Sequence, residues 1–178
     1  MSAPSHLLQR IAPGEAEALF RLFQLYYYEG SDWADEDIGP DGLFDASPEQ
    51  IADYINDPAK GAYWIRKDGA LAGFVVTEPF TLPNGRVAQE VADLFILKRY
   101  RRQGLAFEAV HALARTFTGP WLVAIFRTDT RAGAFWQRLF ASLPPNSVRS
   151  YDDPNLPDLV QHAINDTDFQ APSTTSRT

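Results

Sequence analysis

The chain has 178 residues, of which 45% are hydrophobic and 13% aromatic, and its formal net charge is −7. This length and apolar content can build one domain around a sizeable core, so a disordered chain is not expected. The negative charge disfavours a nucleic-acid partner, because phosphate backbones require a basic surface and the chain has no long run of Lys and Arg. An acidic protein is better suited to a cationic substrate.

The residue types in the chain exclude several kinds of functional site. The chain contains no cysteine, which excludes disulfides, thiolate nucleophiles and cysteine metal ligands. Its three histidines, His6, His111 and His162, are too scattered to indicate a metal site. The N-terminus lacks the pattern of a signal peptide, and no stretch approaches the roughly 18 apolar residues of a membrane span. We therefore expect no metal, no membrane association and a cytoplasmic location.

The first third of the chain predicts a short strand and two helices joined by a long loop. Apolar residues at helical spacing indicate a helix over 15–28, whereas 29–45 is rich in Gly and Asp and is typical of a functional loop. The segment Ser47-Pro48-Glu49-Gln50 combines an N-cap, a proline at the first helical position and a Gln able to close a capping box. The helix that follows should end before Pro58.

Three extended runs come next, at 62–66, 71–78 and 87–97. They are separated by Asp68-Gly69 and Asn84-Gly85, dipeptides that favour tight hairpin turns, so an antiparallel meander is predicted. The third run is apolar on both alternations. It should therefore be a central strand that is covered on both faces.

The remaining elements alternate between helix and strand. A helix begins at Gly104 and is broken by Gly119-Pro120, and a strand follows at 121–126. Asp129 or Thr130 caps another helix that ends at Pro144-Pro145. A last strand is predicted at 159–164, and the Ser/Thr-rich residues beyond it are typical of a flexible tail.

This order of elements predicts an α/β fold of the α+β type, with a mixed, mostly antiparallel sheet and helices on both faces. The strands 87–97 and 121–126 should be parallel neighbours joined through a helix, and ligands favour such a point in an open sheet. We expect one domain over 1–165 and a tail over 166–178.

The segment with the clearest chemistry is Arg101-Arg102-Gln103-Gly104-Leu105-Ala106, which follows the central strand and opens a helix. Backbone N–H groups at a helix N-terminus lack intrahelical partners, and two arginines add positive charge, so the segment can bind a pyrophosphate. Gly104 has no Cβ to block the backbone, and Ala106 is small. Basic residues and a glycine are also common at structural loop-to-helix junctions.

The stretch from Ile96 to Ala106 resembles the acetyl-CoA-binding motif of the GNAT (Gcn5-related N-acetyltransferase) superfamily, Arg/Gln-x-x-Gly-x-Gly/Ala after a strand. Asp129-x-x-Ala132 followed by Phe135-Trp136 also looks like the family's later Asn-x-x-Ala-x-x-x-Tyr helix, and the element order over 6–164 matches. The resemblance implies the acyl-CoA N-acyltransferase fold and acetyl-CoA as cosubstrate. It also implies acetyl transfer to the amine of a small molecule or peptide by direct attack in a ternary complex.

The resemblance also assigns the cofactor-binding residues. The pyrophosphate would be held at Arg102, Gln103, Gly104, Leu105 and Ala106, beside the charge of Arg101. The strand end at Leu94, Phe95 and Ile96 would pair with the pantetheine arm. The N–H of Ile96 would then polarise the thioester carbonyl.

One position departs from the family pattern. Trp136 occupies the place of the tyrosine that protonates the leaving thiolate, and an indole has no usable acid pKa. A thiol is a tolerable leaving group near neutral pH, or Tyr151 or Tyr28 could substitute. The departure leaves open a second function, a non-catalytic acyl-CoA-binding sensor or regulatory module.

The candidates for a general base are Asp93 and Glu90. Amines are mostly protonated at neutral pH, so a carboxylate near the thioester is the natural base. Asp93 lies in an otherwise apolar stretch, where burying a carboxylate is costly unless it is paired or functional. Structural alternatives are a bond from Asp93 to a neighbouring loop and a solvated or salt-bridged Glu90.

The acceptor side is predicted within 26–37, with Tyr27, Tyr28, Glu29 and Trp33 as the candidate residues, because aromatic faces and carboxylates both attract ammonium groups. The same residues are compatible with a solvated acidic loop or with the contact surface of a homodimer. The identity of the amine stays open.

Overall fold

The computed structural model describes residues 7–166, which form a sheet of seven strands with four α-helices against it. In chain order the elements are β1 (Leu8–Arg10), α1 (Ala16–Gly30), α2 (Pro48–Asn56), β2 (Gly61–Lys67), β3 (Ala70–Thr81), β4 (Val87–Ile96), α3 (Leu105–Ala114), β5 (Trp121–Phe126), α4 (Thr130–Ala141), β6 (Val148–Tyr151) and β7 (Leu159–Ile164). Short 3₁₀ turns precede α1 and α3, at Pro13–Glu15 and Lys98–Tyr100.

The strands follow the order β1-β2-β3-β4-β5-β7-β6. Every neighbouring pair is antiparallel except β4 and β5. The predicted mixed, mostly antiparallel sheet is therefore confirmed, with β4 in the central position that its two apolar faces indicated.

Local start and turn signals act as the sequence predicted. The Ser47 hydroxyl accepts a hydrogen bond from the N–H of Gln50 at 3.2 Å and begins α2. The Asp129 carboxylate accepts from the N–H groups of Arg131 and Ala132 at 3.1 and 2.9 Å and begins α4. Such side-chain caps satisfy amides that have no partner within the helix.

The strand β6 was not predicted. It has four residues, is half-buried to exposed, and lies at the edge of the sheet against β7. A short edge strand needs no alternation of apolar and polar side chains, so its pattern carries little signal. The helix predicted from Gly104 also ends earlier than expected, at Ala114.

Helices cover the two faces of the sheet with separate cores. Residues of α3 and α4 pack on one face, around Leu105, Leu113, Trp121, Trp136 and Leu139. Residues of α1 and α2 pack on the other, around Leu19, Phe23, Ile51, Tyr54, Trp64 and Phe74. The strand β4 contributes Val91 and Ile96 to the first core and Phe95 to the second, so it is buried from both sides.

The end of the described chain is bound to the fold. Asp166 is buried and accepts hydrogen bonds from Asn84, Arg86 and Tyr151. Asp166 is the first residue of the tail predicted over 166–178, and the remaining positions, 167–178, lie outside the described residues. Within 7–166, no helix is long and apolar enough to cross a membrane.

Candidate active site

A cavity of about 800 Å³ opens where β4 and β5 separate. The two strands pair only at Gln89 with Trp121 and at Glu90 with Leu122, and beyond these positions the strands diverge. The cavity is lined by 91–96 of β4, 123–126 of β5, the start of α3, one side of α4, and the end of α1 with the loop after it. The predicted switch point between the parallel strands is therefore an open cleft.

The start of α3 forms one end of this cavity. Gly104 is the N-cap residue of α3, with a φ of 82°, and Arg102 before it has a φ of 59°. An added Cβ at Gly104 would lie 3.6 Å from the Glu108 carboxylate and otherwise face open space. The turn thus directs the first amides of α3 toward the cavity, a geometry suited to an anion.

The sequence suggested that Arg101 adds positive charge beside a pyrophosphate, but its guanidinium group contacts neighbouring protein groups. Its guanidinium group donates to the backbone carbonyl of Ile96 at 2.7 Å and to the carboxylate of Glu29 at 2.6 Å. It also lies over the ring of Phe95, 5.6 Å from the centroid. Both Arg101 and Glu29 line the cavity, where this ion pair joins the end of α1 to the end of β4.

The backbone of β4 points into the cleft at alternate residues. The N–H of Leu97 donates to the carbonyl of Ala72 at 2.9 Å, in register with the pair of Phe95 and Phe74. Hydrogen-bonded and non-bonded pairs alternate along an antiparallel ladder. Leu94 and Ile96 therefore direct their backbone groups away from β3, toward the side where β5 has separated.

A β-bulge aims Asp93 at the cavity. Val76 of β3 is opposite Asp93 whereas the next residue, Thr77, is opposite Val91, so Ala92 is an extra residue in β4. Bulges of this kind change the direction of a side chain within a strand. Ala92 and Asp93 both line the cavity, on the side of the sheet covered by α1 and α2.

The environment of Asp93 makes it a stronger base than an ordinary aspartate. Burial raises the pKa of its carboxyl group to about 6, a hydrogen bond from Tyr26 lowers it, and the charges of Glu78 and Glu36 raise it further. At neutral pH the group is mostly ionised but holds a proton more readily than a solvated carboxylate.

Glu90 has a different position. It is directly opposite Glu78 on β3 and does not line the cavity. Burial raises the pKa of Glu90 to about 7, and the charges of Glu78 and Asp93 add to the effect. Lys60 partly neutralises the negative charge next to Glu90, because it forms an ion pair with Glu78 at 3.1 Å.

Aromatic and acidic side chains form the end of the cavity nearest α1. Tyr26, Tyr27, Trp33 and Glu36 line it. Tyr28, which the sequence also suggested, is 66% exposed and is not brought into the cavity. Gln103 is likewise absent from the wall, and its side chain donates to the carbonyl of Arg99.

The loop after α1 reaches across the mouth of the cleft. The Trp33 carbonyl accepts a hydrogen bond from the Thr128 hydroxyl at 3.3 Å, and the Arg131 guanidinium lies 5.6 Å from the centroid of the Trp33 ring. Thr128 and Arg131 lie on either side of the first residue of α4. This bridge places the predicted acceptor loop against the helix on the far side of the cavity.

Trp136 forms part of the core beside the cavity. It is 6% exposed, and its ring lies 5.1 to 6.4 Å from those of Trp121, Phe135 and Phe140. The indole thus closes the cavity wall by packing, and it adds no acid to the site.

Sequence reasoning missed some lining residues, among them Phe107 on α3 and Arg138 on α4. Tyr26, which the sequence allowed either in the core or at the acceptor side, packs on Phe23 and Phe74 and also lines the cavity. Among the residues described, no group of three or more His, Cys, Asp and Glu side chains is arranged to hold a metal ion.

Most of the chain is similar in sequence to one known protein family. Residues 16–141 match the sequence profile described as the Acetyltransferase (GNAT) family. A search of curated proteins found no match.

Several solved structures share the fold at low sequence identity. An acetyltransferase from Thermus thermophilus is 18% identical with a TM-score of 0.61, covering 88% of this chain and 94% of that one. NAA60 of Arabidopsis thaliana, solved with a bisubstrate analogue, is 13% identical with a TM-score of 0.58, covering 88% and 96%. The aminoglycoside acetyltransferase meta-AAC0020 from an uncultured soil sample, solved with sisomicin, is 14% identical with a TM-score of 0.54, covering 81% and 93%.

Proposed function

Because the chain belongs to the acetyltransferase (GNAT) family, we propose that it transfers an acetyl group from acetyl-CoA to the amine of a small, cationic acceptor. The observation that carries this proposal is the cleft between β4 and β5. It has a helix N-terminus suited to an anion at one end and the carboxylate of Asp93, with aromatic side chains, at the other.

The residues at the start of α3 fit the pyrophosphate of acetyl-CoA. The amides from Arg102 to Ala106 would hold it, and Gly104 leaves room for a close approach of the backbone. The backbone groups of Leu94 and Ile96 that face the cleft would bind the pantetheine arm as an added strand does. Acetyl-CoA supplies the activated acetyl thioester.

Asp93 would act as the general base. An amine with a pKa near about 10 reaches the site mostly as ammonium, so a proton must leave before the nitrogen can attack. A carboxylate with a pKa of about 6 is ionised at neutral pH and accepts a proton more readily than a solvated aspartate. Glu90 lies outside the cavity wall, so it would not accept the amine proton directly; the charge of Asp93 helps to raise its pKa.

The acceptor end favours a cation. Tyr27 and Trp33 offer aromatic faces, and Glu36 and Asp93 offer negative charge within the same cavity. Glu29 contributes less, because its carboxylate is paired with Arg101. The amine would attack directly in a ternary complex, and the lack of cysteine, the usual carrier of a covalent acyl intermediate, is consistent with this.

A calorimetric titration with acetyl-CoA, with ATP as a control for generic phosphate binding, tests the cofactor site. We expect micromolar binding of acetyl-CoA, about −8 kcal/mol, and much weaker binding of ATP. Release of free CoA thiol is then measured with a panel of amines that includes a polyamine, an aminoglycoside and a peptide N-terminus. Absence of acetyl-CoA binding would refute the proposal.

The packing of Trp136 favours a second candidate function, acyl-CoA binding without transfer. A family tyrosine that could donate a proton is replaced here by a core indole. Tight acetyl-CoA binding with no thiol release for any amine, at any pH between about 6 and 9, would support this regulatory role over catalysis.

A further inference from the structure

We propose that Glu29 and Arg101 are positioning residues of the acceptor site: their ion pair holds the end of α1, and the turn that carries Trp33, against the end of β4. The Glu29 carboxylate and the Arg101 guanidinium are 2.6 Å apart, and both side chains line the cavity. The inference rests on the proposed function, in which the acceptor amine binds beside this turn. It gives Glu29 an indirect role in place of a direct contact with the ammonium group.

The Arg101 side of the pair is fixed to β4 by two further contacts. Its guanidinium group donates to the carbonyl of Ile96 at 2.7 Å and lies over the ring of the buried Phe95, 5.6 Å from the centroid. The Ile96 carbonyl belongs to the same peptide unit as the N–H of Leu97, which donates to Ala72 on β3 at 2.9 Å. This peptide unit is therefore bonded on both sides, and the charge of Arg101 projects from a well-supported part of the sheet.

Glu29 lies where its own helix disfavours a negative charge. It is the penultimate residue of α1, and the last turn of this helix carries no basic residue. The C-terminal end of a helix repels carboxylates, because its free carbonyl groups carry partial negative charge. The side chain of Glu29 is only 18% exposed, so solvent screens this repulsion incompletely and the charge of Arg101 offsets it. Without Arg101, the last turn of α1 would be held less firmly on the sheet.

The turn after α1 depends on the position of that last helical turn. The N–H groups of Trp33 and Ala34 both donate to the carbonyl of Gly30 at 2.9 Å. On the far side of the cleft, the Trp33 carbonyl accepts a hydrogen bond from Thr128. A shift of Glu29 would therefore pass through Gly30 to Trp33, on the acceptor side of the cavity.

A direct contact between Glu29 and the acceptor predicts the opposite result when Arg101 is changed. If the Glu29 carboxylate bound the ammonium group, loss of Arg101 would release the carboxylate and strengthen amine binding. If the pair positions the turn, loss of either partner disturbs the turn and weakens amine binding. Lys98 leaves this contrast intact, because its ammonium group is 3.8 Å from Glu29 and its side chain is 74% exposed.

The experiment compares Glu29→Met, Arg101→Met and the double variant in the full chain. Methionine has an unbranched side chain, suits a helix about as well as glutamate and cannot form the ion pair. The control is Glu17→Met, which removes an exposed ion pair with Arg21 from the same helix, outside the cavity wall. Steady-state kinetics use the member of the amine panel that the wild-type chain acetylates, and calorimetry gives the Kd of acetyl-CoA.

Both single variants should raise the KM of the amine by about tenfold and change kcat less, since a displaced turn no longer presents its side chains to the amine. The Kd of acetyl-CoA should change by less than about threefold, because the amides from 102 to 106 are not disturbed. The double variant should be no worse than either single one, because the two residues act as a unit. Glu17→Met should match the wild type.

Three kinetic or binding results would count against the pair as a positioning device. A lower amine KM in Arg101→Met would overturn the inference and assign Glu29 to the ammonium group. A loss of acetyl-CoA affinity confined to Arg101→Met would also overturn it, because Arg101 would then be a cofactor contact. So would an unchanged amine KM in both single variants.

Amide hydrogen exchange separates this inference from the proposed function. The N–H groups of Trp33 and Ala34 should exchange at least about tenfold faster in Glu29→Met and in Arg101→Met than in Glu17→Met. This result, with no acetyl transfer by the wild-type chain to any amine, would support the positioning of the turn and refute the proposed function. Transfer by the wild type with unchanged exchange in both variants would leave the proposed function in place and overturn the inference.

Discussion

Asp93 is costly to the fold where it lies. Its side chain is half-buried in the cavity wall on the face of β4 that α1 and α2 cover, and burial raises its pKa from 3.8 to about 6. A carboxyl group whose pKa is raised by folding destabilises the native state once it is ionised. The penalty is absent below about pH 4, grows between about pH 4 and pH 6, and persists above that range.

The change Asp93→Asn should therefore stabilise the protein while it lowers acetyl transfer. The gain in free energy of unfolding should be largest near about pH 8, up to about 3 kcal/mol, and small near about pH 4. Turnover should fall mainly below the pH at which the amine loses its proton unaided. Denaturant unfolding at both pH values measures the first effect, with Asp32→Asn on the exposed loop as the control. An equal gain at the two pH values would contradict the assignment.

At the scale of elements, the junction of β4 and α3 decides whether the cleft can bind an anion. The turn depends on a glycine in the left-handed region, and Gly104 there has a φ of 82°. Gly85 in the hairpin between β3 and β4 has nearly the same φ, 81°, with open space around it. A side chain at either position strains the backbone by a similar amount, about 1 kcal/mol, but only Gly104 lines the cavity.

The variants Gly104→Leu and Gly85→Leu separate a loss of binding from backbone strain, because the two glycines have nearly the same φ. We expect Gly104→Leu to weaken acetyl-CoA binding at least about tenfold, because the side chain enters the space that the pyrophosphate would occupy. Gly85→Leu should lower stability to a similar extent and leave affinity unchanged. Calorimetric titration of both proteins measures the difference. Equal affinities would remove the start of α3 from the binding site.

At the scale of the whole molecule, Asp166 joins distant parts of the chain. Its buried carboxylate is 2.7 Å from the Arg86 guanidinium and accepts hydrogen bonds from Asn84 and Tyr151 at 3.0 and 2.9 Å. These partners lie in the hairpin after β3 and on β6. The end of the described chain thus joins the hairpin between β3 and β4 to the edge strand β6.

Removal of this carboxylate should destabilise the fold as a unit. Asp166→Ala removes a buried acceptor that three donors share, and we expect a loss of about 3 kcal/mol in the free energy of unfolding. Asp152→Ala, which removes an exposed ion pair with Arg127, should cost less than about 1 kcal/mol. Chemical denaturation measures both, and acetyl-CoA affinity should be equal in the two variants. A small loss for Asp166→Ala would show that the cluster is dispensable.

Much of the fold is encoded in short stretches of sequence. The caps at Ser47 and Asp129, the turn at Asp68-Gly69 and the two apolar faces of β4 all depend on residues close together in the chain. The glycine turn before α3 is of the same kind. These features could be predicted because local backbone preferences and hydrogen bonds decide them.

Which side chains line the acceptor end of the cavity depends on tertiary structure. Tyr28 follows Tyr26 by about 200° of helical rotation, so spacing alone could have placed it on the exposed side. That Tyr26 and Asp93 line the same cavity depends on the packing of α1 on the sheet and on the bulge at Ala92. Local sequence signals predicted six of the seven strands, the four helices and a candidate anion site at the start of α3. Which side chains surround Asp93 was decided by tertiary packing, because residues far apart in the chain set its burial and its pKa.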